Sequence, residues 1–99
     1  MSGTHEALIQ ASRLLMVSGQ CMHYGMRRVH VFGAAAYLEE CILERGEGDG
    51  RNMISAGSCW IAAGEIHLAE EVLEKWLHHF DREDAAVLRR LIDAARRKT

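Results

Sequence analysis

The sequence predicts an all-α protein of about six short antiparallel helices, stacked as helical hairpins. Three observations carry that prediction. Apolar residues recur at i, i+3, i+4 and i+7, and a period of two never lasts long enough for a strand. The 99 residues include no proline, so glycine is the main helix breaker. A segment also nearly repeats itself 31 residues later: laying 22–46 over 53–77 puts Met22 on Met53 and Gly33 on Gly64, and Leu38-Glu39-Glu40-Cys41-Ile42 falls on Ala69-Glu70-Glu71-Val72-Leu73. Each copy reads as helix, glycine break, helix. Self-similarity at periods of about 20–50 residues marks stacked helical units, which usually present a surface to another protein.

The first helix is expected at about 5–17, capped by Thr4, with Leu8, Ala11, Leu14 and Leu15 on one side and Ser18-Gly19 ending it. A second, at about 20–32, carries Gly25 in its interior, at a cost of about 1 kcal/mol against alanine. The third, at about 34–45, turns Ala35, Leu38, Cys41 and Ile42 inward. Gly46-Glu47-Gly48-Asp49-Gly50 is the clearest break in the chain, and a fourth helix follows at about 51–63. The fifth, at about 65–79, has one apolar stripe of Ile66, Ala69, Val72, Leu73, Trp76, Leu77 and Phe80. Its outer face carries a favourable Glu71–Lys75 pair, and His78-His79 closes it at the negative end of the dipole. The sixth, at about 82–97, is capped by Asp81 with Asp84 in a capping-box-like place, and buries Leu88, Leu91, Ile92 and Ala95.

Length and composition describe one domain over residues 1–99. With 48% hydrophobic and 26% charged residues the chain is a folded domain, not a disordered one. A formal charge of −2 is too small to point to a polyanionic partner. The two ends are net basic and the middle net acidic. The basic run Arg89-Arg90 to Arg96-Arg97-Lys98 suits a helix C-terminus, and the chain lacks the basic isoelectric point of a nucleic-acid binder. Cys21, Cys41 and Cys59 are odd in number and form no CxxC pair, which indicates a reducing compartment and no disulfide framework. The N-terminal residues show no secretory pattern and no run is apolar enough to span a membrane, so a cytoplasmic location is expected.

No cluster of residues carries an enzyme signature. His23 and His30 are seven apart with Cys21 nearby, but neither CxxC nor HxxxH spacing occurs, so no metal and no cofactor are expected. Cys41 and Cys59 lie on apolar helical faces and read as small hydrophobes. Glu39-Glu40 and Glu70-Glu71 diverge by about 100° as helical neighbours and read as solvated outer faces, not as acid and base. The glycine loop has no lysine, so it is no phosphate cradle. Trp60 reads as core, and Trp76 as core or as part of a partner surface.

The second copy is more specific. Met53, Ala56-Gly57, Trp60, Gly64, Ile66, Ala69, Leu73 and Trp76 resemble the tetratricopeptide (TPR) pattern, in a repeat shorter than the usual length of about 34. The pattern makes Trp60, Gly64, Ala69, Leu73 and Trp76 structural: Gly57 and Ala69 let the two helices of a hairpin approach, and Gly64 makes the turn. Ser18-Gly19-Gln20-Cys21-Met22-His23, ahead of Ala34-Ala35-Ala36-Tyr37-Leu38, is similar to the N-terminal hairpin of the small TPR-like cytoplasmic chaperones of the type III secretion needle subunit. Tyr24-Gly25-Met26 departs from that family, where acidic and alanine residues are usual. The resemblance implies a chaperone that holds the needle subunit's amphipathic helix in a concave groove, together with a small helical co-chaperone. It places Gln20, His23, Arg27, His30 and Val31 of one hairpin and Arg51, Ile54, Ser58, Ile61 and Ala62 of the next along that groove. Ile54 and Ile61 fit the core as well as the groove. From the residues alone the chain is a helix-in-groove binder. A homo-oligomeric adaptor or scaffold, and a DNA-associated regulator using the sixth helix, stay open beside it.

Overall fold

The computed structural model describes residues 10–11, 13–14 and 26–98. Residues 26–98 form four α-helices: α1 (Met26–Glu44), α2 (Gly50–Ala62), α3 (Ile66–Trp76) and α4 (Arg82–Arg97). Gln10, Ala11, Arg13 and Leu14, from the helix expected at 5–17, are helical. The rest of that segment and residues 15–25 lie outside the described residues.

The expected break at Gly33 does not occur. α1 runs through it without interruption, so the helices read at 20–32 and 34–45 are one helix over their described part. One interior glycine costs a helix only about 1 kcal/mol, and Ala34-Ala35-Ala36, the best helix formers, follow at once. Gly33 also faces Trp60, whose Cζ3 lies 3.8 Å from where a Cβ would stand. Its counterpart Gly64 does make a turn, with φ 80°. There Gly64 and Glu65 donate backbone hydrogen bonds to the carbonyls of Ile61 and Trp60, closing the end of α2. The 31-residue similarity is therefore a helical hairpin in its second copy and a single helix in its first.

α1 ends at Gly46, which has φ 71°, with Gly46 and Glu47 bonding back to Leu43 and Ile42. α2 begins with a capping box. The Asp49 carboxylate accepts the Arg51 backbone N–H at 2.9 Å, and Asn52 Oδ1 accepts the Asp49 N–H at 2.9 Å. The Arg51 guanidinium also bonds this carboxylate and holds its pKa below the ordinary carboxylate range. Asp49→Ala is expected to cost about 1 kcal/mol in denaturant melts at neutral pH. Because the folded-state pKa is the lower one, that contribution is present above the ordinary carboxylate range and fades as pH falls through the folded value, so the two proteins should converge in acid. Equal stability at pH 7 would show that the cap contributes nothing.

α3 and α4 keep the expected order, with differences at their ends. Residues 77–79 form turns beyond α3, so His78-His79 does not close the helix, and the His79 ring instead meets Trp76 edge-on at 5.1 Å. Asp81 is the N-cap residue of α4 but makes no side-chain cap hydrogen bond. Asp84 completes no box; it packs against Gly50 at the start of α2.

α2 is the hub and packs on all three other helices. Sequence neighbours run antiparallel. α4 runs parallel to α2, since Gly50 meets Asp84 and Gly57 meets Leu88. The main core holds Leu43, Met53, Ala56, Ala69, Val72, Leu73, Leu88 and Ile92. A second cluster joins α1 to α2 through Phe32, Ala35, Ala36, Cys59 and Ala63, and Trp60 packs against both. Ala69 and Leu73 are buried as expected, and Trp60 and Trp76 are half-buried against the core. Gly64 is an exposed turn residue, so its structural role lies in its backbone and not in packing. Gly57 presses on Leu88 of α4.

Of the acidic pairs Glu71 is exposed, as the sequence suggested, but Glu39, Glu40 and Glu70 are engaged by other helices. Glu39 is 4% exposed and accepts Asn52 Nδ2–H at 2.8 Å. Glu40 accepts the Trp60 indole N–H at 2.8 Å. Glu70 pairs with Arg96 of α4. Lys75 pairs with Glu44 of α1 and not with Glu71 on its own helix, which ties α3 to α1 across α2.

Candidate functional site

Packing around α2 decides which of its faces stays open. With about 100° per residue, Asn52, Cys59 and Ala63, which meet α1, lie on the opposite side from Gly50 and Gly57, which meet α4. α2 and α4 also press together at Gly57, where a Cβ would collide with Leu88 Cδ1 and stand 2.9 Å from Cδ2. Beyond that crossing the two helices border an open groove of about 300 Å³ lined by Ser58, Ile61, Ala62, Leu91, Ala94, Ala95 and Lys98. Its walls are almost entirely apolar or small. Leu91 is 39% exposed within it, an unusual position for a leucine with a core a few ångströms away.

The groove residues expected from the sequence divide into four groups. Ser58, Ile61 and Ala62 come together in this groove. Ile54 and Ile61 are both partly buried against the main core, so Ile54 is core and Ile61 serves core and groove together. Arg51 stands at the far end of α2, beside Asp49, Phe80 and Asp84 in a separate, polar depression. His30 and Val31, exposed and half-buried, sit on α1, across α2 from the groove. Arg27 lies in α1, and Gln20 and His23 fall outside the described residues. Among the described residues the wall opposite α2 is α4, through Leu91, Ala94, Ala95 and Lys98. The sequence held a signal for this. Leu91, Ala95 and Lys98 form an i, i+4, i+7 stripe ending in a lysine, beside the stripe of Leu88 and Ile92 that is buried.

Two cysteines lie among the described residues. Cys59 is 2% exposed, and burial, aided by the nearby Glu39 charge, pushes its thiol up to about 12, so it stays protonated and packs as a small hydrophobe. Cys41 is half-buried. Among the described residues no three histidine, cysteine, aspartate or glutamate side chains converge as metal ligands, and no helix is long and apolar enough to cross a membrane.

The geometry thus provides a shallow apolar trough two helical turns long, floored by a close helix crossing and open on one side. Comparison with protein families, with curated proteins and with solved structures gives no match for this chain.

Proposed function

We propose that this chain is a non-enzymatic binding protein that holds an amphipathic helix of a protein partner in the α2/α4 groove. The observation that carries the reading is the open apolar trough itself, in which Leu91 is left exposed beside Ser58, Ile61 and Ala62. Helix-in-groove recognition needs such a surface: an apolar channel that takes residues at i, i+3, i+4 and i+7 of the guest. The parallel placement of α2 and α4, with α3 between them in sequence, supports TPR-like stacking, because the first helices of successive hairpins would line the groove side by side.

On the resemblance to the needle-subunit chaperones, the guest is the amphipathic helix of a type III secretion needle subunit. It is masked in the cytoplasm in company with a small helical co-chaperone, and burial of its apolar face keeps it from self-assembly until release.

The reading is tested by purifying the chain from its native host and measuring the molar mass and composition of the complex by light scattering and mass spectrometry. A 1:1:1 assembly with two small helical chains is the expected result. Ala62→Asp should release the guest without loss of helicity, because Ala62 is exposed and its substitution leaves the core alone. A lone monomer would count against a resident guest. A homodimer broken by Ala62→Asp would instead make the chain a self-associating adaptor that covers the groove with its own copy.

A further inference from the structure

Positive charge predominates along the α4 edge of the groove. Arg90 and Arg97 stand four residues before and three after Ala94, so they share its side of α4, and Lys98 lines the groove directly. All three are exposed, and among the described residues none has an ion-pair partner, whereas Arg96 on the far side of the helix is tied to Glu70. The α2 wall offers nothing to offset them, since no charged residue occurs between Arg51 and Glu65. Glu65 lies past the end of α2 and is engaged by His67 at 3.4 Å. The acids of α4 are Glu83 and Asp84 in its first turn, roughly 10 Å along the axis from Arg90, and Asp93, which stands three residues after Arg90 and four before Arg97 but lines the depression with Glu70, Arg89 and Arg96 instead of the groove. The floor, in contrast, is small: Ser58, Ala62, Ala94 and Ala95 leave the larger side chains to be supplied by whatever enters.

We propose that the α2/α4 groove selects an amphipathic helix whose apolar face carries large aliphatic or aromatic side chains over two turns and is bordered by acidic residues that meet Arg90, Arg97 and Lys98. This rests on the helix-in-groove reading above and adds the charge and size of the occupant. Leu91 to Lys98 span about 10 Å of α4, which fixes the matching stretch at about two turns. Exposed pairs are individually weak, so the rim acts by discrimination: it lowers the affinity of a lysine-bordered helix and speeds the approach of an acidic one.

Synthetic amphipathic peptides of about 18 residues, or five turns, test this with the full chain. They share one leucine-rich apolar face and differ only in flanking glutamate or lysine, with affinity read by fluorescence anisotropy. The glutamate peptide should bind about tenfold more tightly at low salt, and the difference should shrink as salt rises to about 0.5 M. Arg90→Glu with Arg97→Glu should reverse the preference, and Arg90→Gln with Arg97→Gln should erase it, helicity being unchanged in both. Equal affinities, with both lost on Ala62→Asp, would overturn the charge selection and leave the groove standing. Failure of both peptides to bind would overturn the selection and the helix-in-groove reading together. Displacement of the glutamate peptide by a DNA duplex would overturn the proposal by making the basic edge a nucleic-acid surface.

Discussion

Gly57→Ala is expected to destabilise the protein by about 2 kcal/mol, although alanine is the better helix former by about 1 kcal/mol. The reason lies in the crossing of α2 and α4. A Cβ at residue 57 would run into Leu88 Cδ1 and come within 2.9 Å of Cδ2 and 3.2 Å of Cγ. A flexible side chain moves aside cheaply only where there is room, and Leu88 is fully buried, enclosed by the main core. Either the leucine leaves its rotamer or the helices separate, and an interior packed to crystal density resists both. A double-mutant cycle isolates the contact. Leu88→Ala alone should cost about 2–5 kcal/mol for the cavity it leaves. In the Leu88→Ala background the added methyl has space to occupy, so the combined loss should fall short of the sum of the single losses by about 1 kcal/mol or more. Additive losses in urea melts, or a stabilising Gly57→Ala, would show that the helices do not press together there. The consequence reaches the groove, because the same crossing sets the separation of Ser58 and Ile61 from Leu91 one turn further on.

What the sequence made legible, and what it did not, follows from what periodicity measures. The stripe of α3 came through intact, since Ile66, Ala69, Val72, Leu73, Trp76, Leu77 and Phe80 all meet the main core. The start of α2 was legible because Asp49 follows a glycine-rich break, and α4 spans 82–97 as expected. Period and breakers show that a face is apolar; they do not show which helix it meets. Gly33 and Gly64 occupy equal places in the repeat, and only the three alanines after Gly33 distinguish the helix that continues from the one that turns. Glu39 and Glu40 looked solvated because their partners, Asn52 and Trp60, lie on another helix 13 and 20 residues away. For the same reason the periodicity of one helix does not show which helix forms the other wall of the groove. The apolar pattern of α2 puts Ser58, Ile61 and Ala62 on one face, but it does not show that α4, admitted by the glycine at 57, faces them across the groove.

Trp60→Ala should be the most damaging single substitution in this part of the chain, at about 3–5 kcal/mol. Among the described residues the indole is the one side chain that packs against both apolar clusters, and so it couples α1 to the α2–α4 core. Its ring covers Gly33, where α1 fails to break, and its Nε1–H donates to Glu40 at 2.8 Å. Truncation removes the ring from both clusters and leaves a partly buried carboxylate without its donor, two penalties of different origin. Trp60→Phe separates them. It keeps most of the apolar area and loses the indole donor, so its cost should stay near about 1–2 kcal/mol. A domain of this size has roughly 5–10 kcal/mol of total stability, so the alanine variant should be partly unfolded at 37 °C while the phenylalanine variant remains folded. Urea titration followed by circular dichroism measures both. If the two variants lose equal stability, the Glu40 hydrogen bond and not the packing joins the clusters. If Trp60→Ala loses less than about 1 kcal/mol, α1 is held to α2 by Phe32, Ala35 and Ala36 alone, and the reason α1 runs straight through Gly33 must be sought in its own helix propensity.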